Sequence, residues 1–230
     1  MHIEKTVDRA VILAAGLGTR LKWMTRNRPK ALMKIQGEAA IVHVIRQLAG
    51  QGIRNIAVNT HHHADMLMDY LGNGEHWGVN IIFSQENELL NSGGGVRTAL
   101  EKLPGEGLVL VHNADVIADV DVQGLANQAP DYGCSLALVA NPKHHPEGDF
   151  SIKDGLVCLQ EKPRYTFSGV SIWHDSVLKK YPPCTSFSLL EPMKRMMEKQ
   201  HCTGMLHRGQ WFDIGRPKDV VRANISWRVV

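Results

Sequence analysis

The stretch that decides the fold is "AVILAAGLGTRL", Ala10 to Leu21. Its first four residues, Ala10–Leu13, are apolar and predict a strand that is buried on both faces. Gly16 and Gly18 then predict a loop whose backbone N–H groups approach an anionic ligand closely. A dinucleotide-binding loop would carry a third glycine, but a cation, Arg20, stands near that place. The stretch therefore indicates a phosphate-binding loop that contains a fixed positive charge.

The chain beyond Gly16 stays basic, and we expect no helix in it before about Ala39. The segment "GLGTRLKWMTRNRPKALMKIQG" supplies the cations Arg20, Lys22, Arg26, Arg28, Lys30 and Lys34. Such a loop suits a triphosphate whose charge grows during reaction better than a resting pyrophosphate. The dinucleotide interpretation also lacks its acidic ribose anchor, since the second predicted strand ends at Asn59. A kinase-type phosphate loop fails too, because no Gly-Lys-Ser/Thr follows the glycines.

Composition predicts one α/β domain over residues 1–230 and excludes several partners. Hydrophobic residues make up 43% of the 230 residues, which is enough for a sizeable core. The net charge of +3 and the scattered Lys and Arg give no electrostatic footprint for nucleic acid. Four cysteines without CxxC spacing indicate reduced thiols, and no segment resembles a signal peptide or a membrane span. We therefore expect a cytoplasmic protein with small-molecule substrates and no membrane partner.

Apolar runs alternate with segments of helical period through roughly the first 140 residues. The predicted order is strand Ala10–Leu13, helix Ala39–Leu48, strand Ile56–Asn59, helix Ala64–Leu71, strand Val79–Phe83, a glycine loop "NSGGG" that opens a helix, strand Leu108–His112 and strand Ser135–Ala140. This alternation predicts right-handed βαβ units and a Rossmann-like, mostly parallel sheet with helices on both faces.

The last third of the chain has a different pattern. "DFSIKDGLVCLQEK" predicts a hairpin that turns at Asp154-Gly155, and "TFSGVSIWH" predicts a further strand. A helix is expected over Ser188–Lys199, and a closing helix from about Pro217, because proline suits a first helical position.

Polar residues follow the predicted strands where an open parallel sheet binds its ligands, beyond the carboxyl ends. Ala14 to Arg20 follow the first strand, Glu86 follows the third, and "NAD", Asn113 to Asp115, follows the fourth. These segments should converge on one cleft.

The sequence resembles the nucleoside-triphosphate:sugar-1-phosphate nucleotidyltransferases. The shared patterns are "LAAGLGTR…RPKALMKIQG", "NSGGG", "NAD", "EKP" at Glu161 to Pro163, and "WFDIG" at Trp211 to Gly215. Within that family, "NPKHHPEGDF", "TFSGVSIWH" and "GQWFDIG" resemble the uridylyltransferases that act on N-acetylmuramate α-1-phosphate in peptidoglycan recycling. The resemblance implies the nucleotide-diphospho-sugar transferase fold and no C-terminal β-helix domain. It also implies a nucleotide-binding part over about residues 1–140 and a sugar-phosphate part over about 141–230.

The resemblance implies roles for particular residues. The nucleotide would contact Ala14, Ala15, Gly16, Gly18, Thr19, Arg20, Lys30, Glu86, Ser92, Gly93 and Asn113. Arg20 and Lys30 would hold the triphosphate, and Lys162 the incoming sugar phosphate. Asp115 and Asp213 would bind Mg²⁺, which uses one or two carboxylates together with substrate phosphates. The sugar would contact Asn141, Asp149, Glu161 and Lys162.

Other interpretations stay open at this point. Asp115 could cap a turn, Asp213 could be a structural acid, and Lys162 could be an ordinary surface cation. Guanylyl and cytidylyl transfer, a non-catalytic nucleotide-sugar sensor, and a dehydrogenase are the competing functions. The clusters His61–His63 and His144-His145 invite a metal interpretation, but adjacent histidines in an extended segment point to opposite faces.

Three residues depart from the family pattern. Trp23 replaces a proline, Ala114 replaces the middle glycine of Asn-Gly-Asp, and Arg216 stands where the uridylyltransferases would have threonine. Arg216 could replace a metal's charge, bind an acidic sugar substituent, or point outward.

Overall fold

The computed structural model describes residues 5–228, except for the side chain of Lys22. Its strands are β1 (Arg9–Leu13), β2 (Lys34–Ile35), β3 (Glu38–Ala39), β4 (Asn55–Thr60), β5 (Asn80–Gln85), β6 (Leu108–Asn113), β7 (Val116–Ala118), β8 (Cys134–Val139), β9 (Phe150–Lys153), β10 (Leu156–Cys158), β11 (Arg164–His174), β12 (Cys202–Leu206) and β13 (Trp211–Asp213). The helices are α1 (Ala40–Gly50), α2 (Ala64–Leu71), α3 (Asn91–Leu100), α4 (Val122–Gln128), α5 (Asp175–Leu178), α6 (Leu190–Glu198) and α7 (Pro217–Ser226). Three short 3₁₀ helices cover Thr19–Thr25, Lys30–Leu32 and Glu75–Trp77.

Nine strands form one mixed sheet in the order β5-β4-β1-β6-β11-β8-β12-β10-β9. The pairs β5–β4, β4–β1, β1–β6 and β8–β12 are parallel, while β11 lies antiparallel between β6 and β8. Only β10 and β11 run against the other strands of this sheet. The predicted α/β class and mixed sheet are therefore confirmed: seven of the nine strands share one direction, although five of the nine strand pairings are antiparallel.

Both faces of the sheet are covered, and β1 shows how. Ala10 and Ile12 point into a core with residues of α1, α2 and α4, whereas Val11 points into a core with α3, α5 and α6. All three side chains are fully buried. Burial on two faces is the reason that this strand is a continuous apolar run rather than an alternating one.

Strand order reverses next to β1. The chain moves outward from β1 to β4 and β5 on one side and then returns to β6 on the other. The carboxyl ends of β1 and β6 thus meet at a switch point, which is where such sheets open a crevice.

Most of the predicted elements are present with small shifts at their ends, and α2 matches its prediction in full. The hairpin turn is also confirmed, since Asp154 and Gly155 both have positive φ, at 51° and 79°. No helix in the described residues has the length and apolar character that crossing a membrane requires.

The prediction of a glycine loop at "NSGGG" is wrong, because these residues form the first turns of α3. A Cβ on Gly94 would lie 2.1 Å from the carbonyl oxygen of Thr185, and one on Gly93 would lie 2.4 Å from the ring of Phe187. The glycines therefore allow another segment to approach the helix, and they do not make a turn. The basic segment after Gly18 also differs from the prediction, since two 3₁₀ helices precede Ala39.

Candidate active site

A cavity of about 450 Å³ opens at the carboxyl ends of β1, β4 and β6. We call it cavity A; it is lined by Leu13, Ala14, Ala15, Gly16, Lys30, Ala31, Asn59, Glu86, Leu89, Asn91, Ser92, Asn113, Ala114, Asp115 and Ser186. Its volume lies in the range typical of small-molecule sites. The segments that the sequence analysis expected to converge do so here.

Asn59 holds the floor of cavity A together. Its side-chain oxygen accepts the N–H of Ala14 at 2.7 Å, and its amide nitrogen donates to Glu86 Oε1 at 2.7 Å. The other carboxylate oxygen of Glu86 accepts the N–H of Leu90 at 2.9 Å. Glu86 is only 4% exposed. The network fixes the loop after β1 against the end of β4, a positioning role that the sequence analysis missed.

The amino end of α3 is covered by a segment from the last third of the chain. The N–H groups of Gly93 and Gly94 donate to the carbonyl oxygen of Phe187, at 2.9 and 3.1 Å. Ser92 Oγ accepts the N–H of Leu189 at 3.0 Å. Ser92 lines cavity A, whereas Gly93 does not, and Ser186 adds a wall residue that no sequence pattern indicated.

The loop after β1 folds back onto Lys30 at Gly18. Gly18 has φ +63°, and a Cβ there would lie 3.2 Å from the Lys30 Cβ. Thr25 Oγ1 donates to the Gly18 carbonyl oxygen at 2.9 Å. Gly16 lines cavity A, while Thr19 is exposed at the start of the first 3₁₀ helix. Gly18 therefore acts by bringing Lys30 to the cavity.

Lys30 and Asp115 form an ion pair at the wall of cavity A. The Lys30 side chain is 10% exposed and that of Asp115 is 25% exposed. Such limited exposure keeps the pair in a medium of lower dielectric constant than water, where charges act strongly on each other. An anion that enters the cavity would compete with Asp115 for Lys30.

Asp213 is brought to Asp115 by a separate two-stranded sheet. Asp213 pairs with Val116 in the antiparallel register of β7 and β13, and the Ile214 N–H donates to the Asp115 carbonyl oxygen at 2.9 Å. Arg20 reaches the same place, since a Cβ on Gly215 would lie 3.0 Å from Asp213 Oδ1 and 3.4 Å from Arg20 Cζ. Two carboxylates and two cations, Lys30 and Arg20, therefore meet at one point.

The carboxylates of Asp115 and Asp213 repel each other electrostatically. Burial raises the pKa of Asp213 above its ordinary value, and the negative charge of Asp115 raises it further. Lys30 and Arg20 offset part of this rise. Within the described residues there is no cluster of three or more His, Cys, Asp or Glu that could hold a metal ion. Two facing carboxylates fit Mg²⁺, which fills its remaining positions with water and substrate phosphates.

A second cavity of about 340 Å³, cavity B, shares Asn113 and Asp115 with cavity A. Its other lining residues are Arg20, Val116, Pro142, His144, His145, Asp149, Thr166, Phe167, Ser168, Gly169, Trp211, Asp213 and Arg216. Gly169 permits a close approach to Asn113, since a Cβ there would lie 2.8 Å from the Asn113 amide nitrogen. The two cavities are therefore adjacent, with Asn113 and Asp115 between them.

Two fixed groups shape the far side of cavity B. Trp211 Nε1 donates to the Ser168 carbonyl oxygen at 2.9 Å, which orients the indole. Asp149 accepts the Phe167 N–H at 2.8 Å and lies 2.9 Å from His145 Nε2. Aromatic faces with a few fixed polar groups are typical of small-molecule sites.

Three of the expected sugar-site residues do not line either cavity. Asn141 donates to the carbonyl oxygens of Pro146 and Arg164 and accepts from Thr166, so it holds the loop that carries Asp149. The exposed Glu161 carboxylate lies 3.2 Å from Lys153 Nζ. Lys162 is exposed. The substrate roles of Asn141, Glu161 and Lys162 stay predictions.

The histidine cluster His61–His63 makes local contacts, and two of the residues that depart from the family pattern differ in exposure. His61 Nδ1 lies 2.9 Å from the Glu86 carbonyl oxygen, and the rings of His62 and His63 contact each other at 3.8 Å. Trp23 is 77% exposed, whereas Ala114 is buried and donates its N–H to Leu13.

Similarity to known proteins agrees with this geometry. Residues 9–228 match the model of the family described as nucleotidyl transferase. Over 218 residues, the chain is 32% identical to the N-acetylmuramate alpha-1-phosphate uridylyltransferase of Neisseria meningitidis serogroup B, with 90% of this chain and 93% of that protein covered. It is 30% identical over 229 residues to the mannose-1-phosphate guanylyltransferase catalytic subunit beta of Drosophila pseudoobscura pseudoobscura, with coverage of 92% and 60%.

The fold is also that of a solved nucleotide complex. The crystal structure of HddC from Yersinia pseudotuberculosis complexed with GMP-PN superposes with a TM-score of 0.79 at 24% identity, covering 95% of this chain and 99% of that one. The open α/β sheet carries a cavity and a carboxylate pair at its switch point. The chain belongs to the nucleotidyl transferase family and is an enzyme.

Proposed function

We propose that the protein transfers a nucleoside monophosphate from a nucleoside triphosphate, with UTP favoured, to a sugar 1-phosphate, with N-acetylmuramate 1-phosphate favoured. The products are the nucleotide sugar and pyrophosphate. The observation that carries the proposal is the junction of the cavities, where Lys30, Asp115 and Asp213 meet. A nucleotide in cavity A and a sugar in cavity B would place the α-phosphate at this junction.

The reaction requires positioning and charge neutralisation rather than a general base. A phosphate monoester has a second pKa of about 6, so a sugar 1-phosphate is largely a dianion at neutral pH and attacks without losing a proton. The protein must hold two anions in line and neutralise the departing pyrophosphate. Lys30 and Arg20 supply fixed positive charge at the junction, and Lys30 exchanges its Asp115 partner for phosphate oxygen.

Asp115 and Asp213 would hold Mg²⁺. When bound, this cation neutralises phosphate charge and orients the triphosphate. The facing carboxylates support this assignment, because burial and the charge of Asp115 raise the pKa of Asp213, and a cation between the two carboxylates would offset both effects. Glu86 would accept the imide N–H of uracil in addition to its bonds from Asn59 and Leu90, since this residue lines cavity A.

A guanylyltransferase is the alternative. The relative from Drosophila is named for guanylyl transfer to mannose 1-phosphate, and it aligns with 92% of this chain. A guanine base would need a donor and acceptor set different from that of uracil at the Glu86 end of cavity A. A non-catalytic nucleotide-sugar sensor is a weaker alternative, because Lys30, Asp115 and Asp213 are all present.

The test is pyrophosphate release by the purified protein with Mg²⁺. The assay covers ATP, GTP, CTP, UTP and dTTP against several sugar 1-phosphates, including N-acetylmuramate 1-phosphate. We expect release with UTP and N-acetylmuramate 1-phosphate, and a loss of at least about 10³-fold in Asp115→Asn, since that carboxylate has no substitute. Asp131→Asn removes an exposed carboxylate outside both cavities and should retain full activity.

The outcomes separate the hypotheses. Release with GTP and mannose 1-phosphate alone would favour the guanylyltransferase. An Asp115→Asn variant as active as the wild type would remove the carboxylate from the mechanism. No release over the whole grid, with measurable nucleotide binding, would favour the sensor.

A further inference from the structure

Arg216 is a cation without a protein partner in cavity B. It lies between the end of β13 and the first residue of α7, is half-buried, and lines the cavity. Its guanidinium has no hydrogen bond or ion pair within residues 5–228. Other arginines with little exposure are paired, such as Arg9 with Asp175 and Arg97 with Glu101. Five N–H donors that face a cavity unpaired are suited to an anion brought by a ligand.

The surroundings of Arg216 differ from those of Arg20. Arg20 lies against Gly215 beside Asp213, at the junction of the two cavities. Arg216 instead acts on His144, at the rim of cavity B. His144 is exposed as a whole, yet partial desolvation lowers its pKa below the ordinary value, and the charge of Arg216 lowers it further. This wall therefore carries the fixed positive charge of Arg216, and Lys218 and Asp219 of α7, which have opposite charges, also act on His144.

The other polar groups of cavity B make its two sides electrostatically different. Asp149 lies on the same cavity and repels an anion, while its contacts with His145 and Phe167 hold it in place. Hydroxyl groups of a sugar suit Asp149 as an acceptor, whereas a negative substituent is favoured on the Arg216 wall. Asp115 and Asp213 carry the remaining negative charge, at the junction.

We propose that Arg216 binds a carboxylate substituent of the sugar, with His144 lining the cavity beside it, so that the substrate is an acidic sugar 1-phosphate. A guanidinium and a carboxylate form two parallel hydrogen bonds, and the unpaired positive charge of Arg216 suits such a negative group. The inference rests on the proposed function, because it assigns the sugar to cavity B. Arg216 would then determine the specificity for acidic over neutral sugar 1-phosphates.

The experiment compares two pairs of sugars that differ in a carboxylate. N-acetylmuramate 1-phosphate is paired with N-acetylglucosamine 1-phosphate, and glucuronate 1-phosphate with glucose 1-phosphate. The readout is the ratio of kcat/KM values, acidic over neutral, for the pair that the wild type uses better. We expect the wild type to prefer the acidic sugar and Arg216→Gln to lower the ratio about 10- to 100-fold, as loss of a charge-assisted pair does.

The control is Lys194→Gln. Lys194 is an exposed cation of α6 that lines neither cavity and does not act on His144, so its loss should leave the ratio unchanged. His144→Gln should lower the ratio by a few-fold, since it removes a neutral neighbour. Calorimetric titration with UDP-N-acetylmuramate and UDP-N-acetylglucosamine gives the same comparison without turnover, and Arg216→Gln should weaken binding of the acidic compound selectively.

Failure of this inference and failure of the proposed function are distinguishable. A ratio that Arg216→Gln leaves unchanged in an active enzyme overturns the inference alone. An equal loss for both sugars, with a raised KM for the triphosphate, assigns Arg216 to the nucleotide and also overturns it. A wild type that transfers to no sugar contradicts the proposed function. In that case the calorimetric affinities for UDP-N-acetylmuramate and UDP-N-acetylglucosamine test the role of Arg216. Equal affinities of the wild type and Arg216→Gln for UDP-N-acetylmuramate overturn the inference.

Discussion

At the scale of single residues, Asp213 shows that the site is arranged at a cost in stability. Burial and the charge of Asp115 both disfavour its ionised form, and Lys30 and Arg20 compensate only in part. A structural acid at a strand end would be expected to gain a partner on folding. Asp213 instead meets another carboxylate, an arrangement typical of sites that await a cation.

This predicts that Asp213→Asn raises the melting temperature in Mg²⁺-free buffer at pH 7.5 while it abolishes nucleotidyl transfer. A carboxyl whose folded-state pKa is raised destabilises the fold where it is ionised, above the ordinary Asp pKa of about 3.9. We expect a gain of roughly 2–4 °C, which corresponds to about 1 kcal/mol for a chain of this size. The gain should disappear as the pH is lowered to the ordinary pKa.

Asp65→Asn is the matched control, because Asp65 is an exposed acid in the first turn of α2, where it interacts favourably with the helix dipole, and it does not act on Asp213. Its loss should leave the melting temperature unchanged or lower it slightly. A lower melting temperature in Asp213→Asn at pH 7.5 would mean that Lys30 and Arg20 outweigh the burial and repulsion of this carboxylate.

At the scale of elements, α3 is a helix whose sequence opposes helix formation. Gly93, Gly94 and Gly95 cost conformational entropy in the first turns. They are explained by contact: Gly95 packs on the side chains of Asn59 and Glu86, and Gly93 and Gly94 pack on the segment that contains Thr185 and Phe187. The element is therefore stabilised by tertiary packing, as most helices in proteins are.

Gly94→Ala should destabilise the protein even though alanine has the higher helix propensity. The new Cβ would meet a backbone oxygen, which cannot move aside as a flexible side chain would. We expect a loss of about 1–3 kcal/mol in urea unfolding, the usual effect of overpacking. The variant should also bind nucleotide in cavity A more weakly, because this contact positions Ser92 and Ser186, which line the cavity.

Gly50→Ala provides the control in another helix. Gly50 ends α1, and a Cβ there has no neighbour within 4 Å. This substitution should be neutral or stabilising by up to about 1 kcal/mol. Equal effects of the two substitutions would mean that propensity, and not packing, sets the role of the α3 glycines.

At the scale of the whole molecule, a buried ion pair joins β1 to the last third of the chain. Arg9 is 2% exposed and contacts Asp175 Oδ2 at 2.7 Å and the carbonyl oxygens of Gly105, Gly107 and Leu108. Burial alone would raise the pKa of Asp175, but Arg9 and Lys179 outweigh it and hold that pKa below its ordinary value. The pair lies at the amino end of β1, opposite the site.

Arg9→Met should lower the free energy of unfolding by about 3–5 kcal/mol, because it leaves a buried carboxylate without its main partner. Asp175 has a depressed folded-state pKa, so its contribution is present above about pH 3.9 and is lost as the pH falls through that depressed value. Arg46→Gln, which breaks an exposed pair with Glu38, should change stability by no more than about 1 kcal/mol. Similar losses for the two variants in urea unfolding would contradict the role assigned to burial.

The sequence by itself determined the α/β class, the positions of most strands and helices, and the polar residues that follow β1, β5 and β6. These features depend on local periodicity, turn residues and composition, which neighbouring positions encode. Asp154-Gly155 specified its turn, and Pro217 specified the start of α7, for the same reason.

Only the tertiary structure decided which distant residues meet. The register of β7 and β13 brings Asp213 to Asp115, and the contact with Phe187 turns three glycines from an expected loop into a helix. It also pairs Arg9 with Asp175, directs Arg216 into cavity B, and leaves Lys162 exposed outside both cavities. A local pattern states what a segment prefers alone, whereas these contacts follow from the packing of segments far apart in the chain, which no single segment encodes.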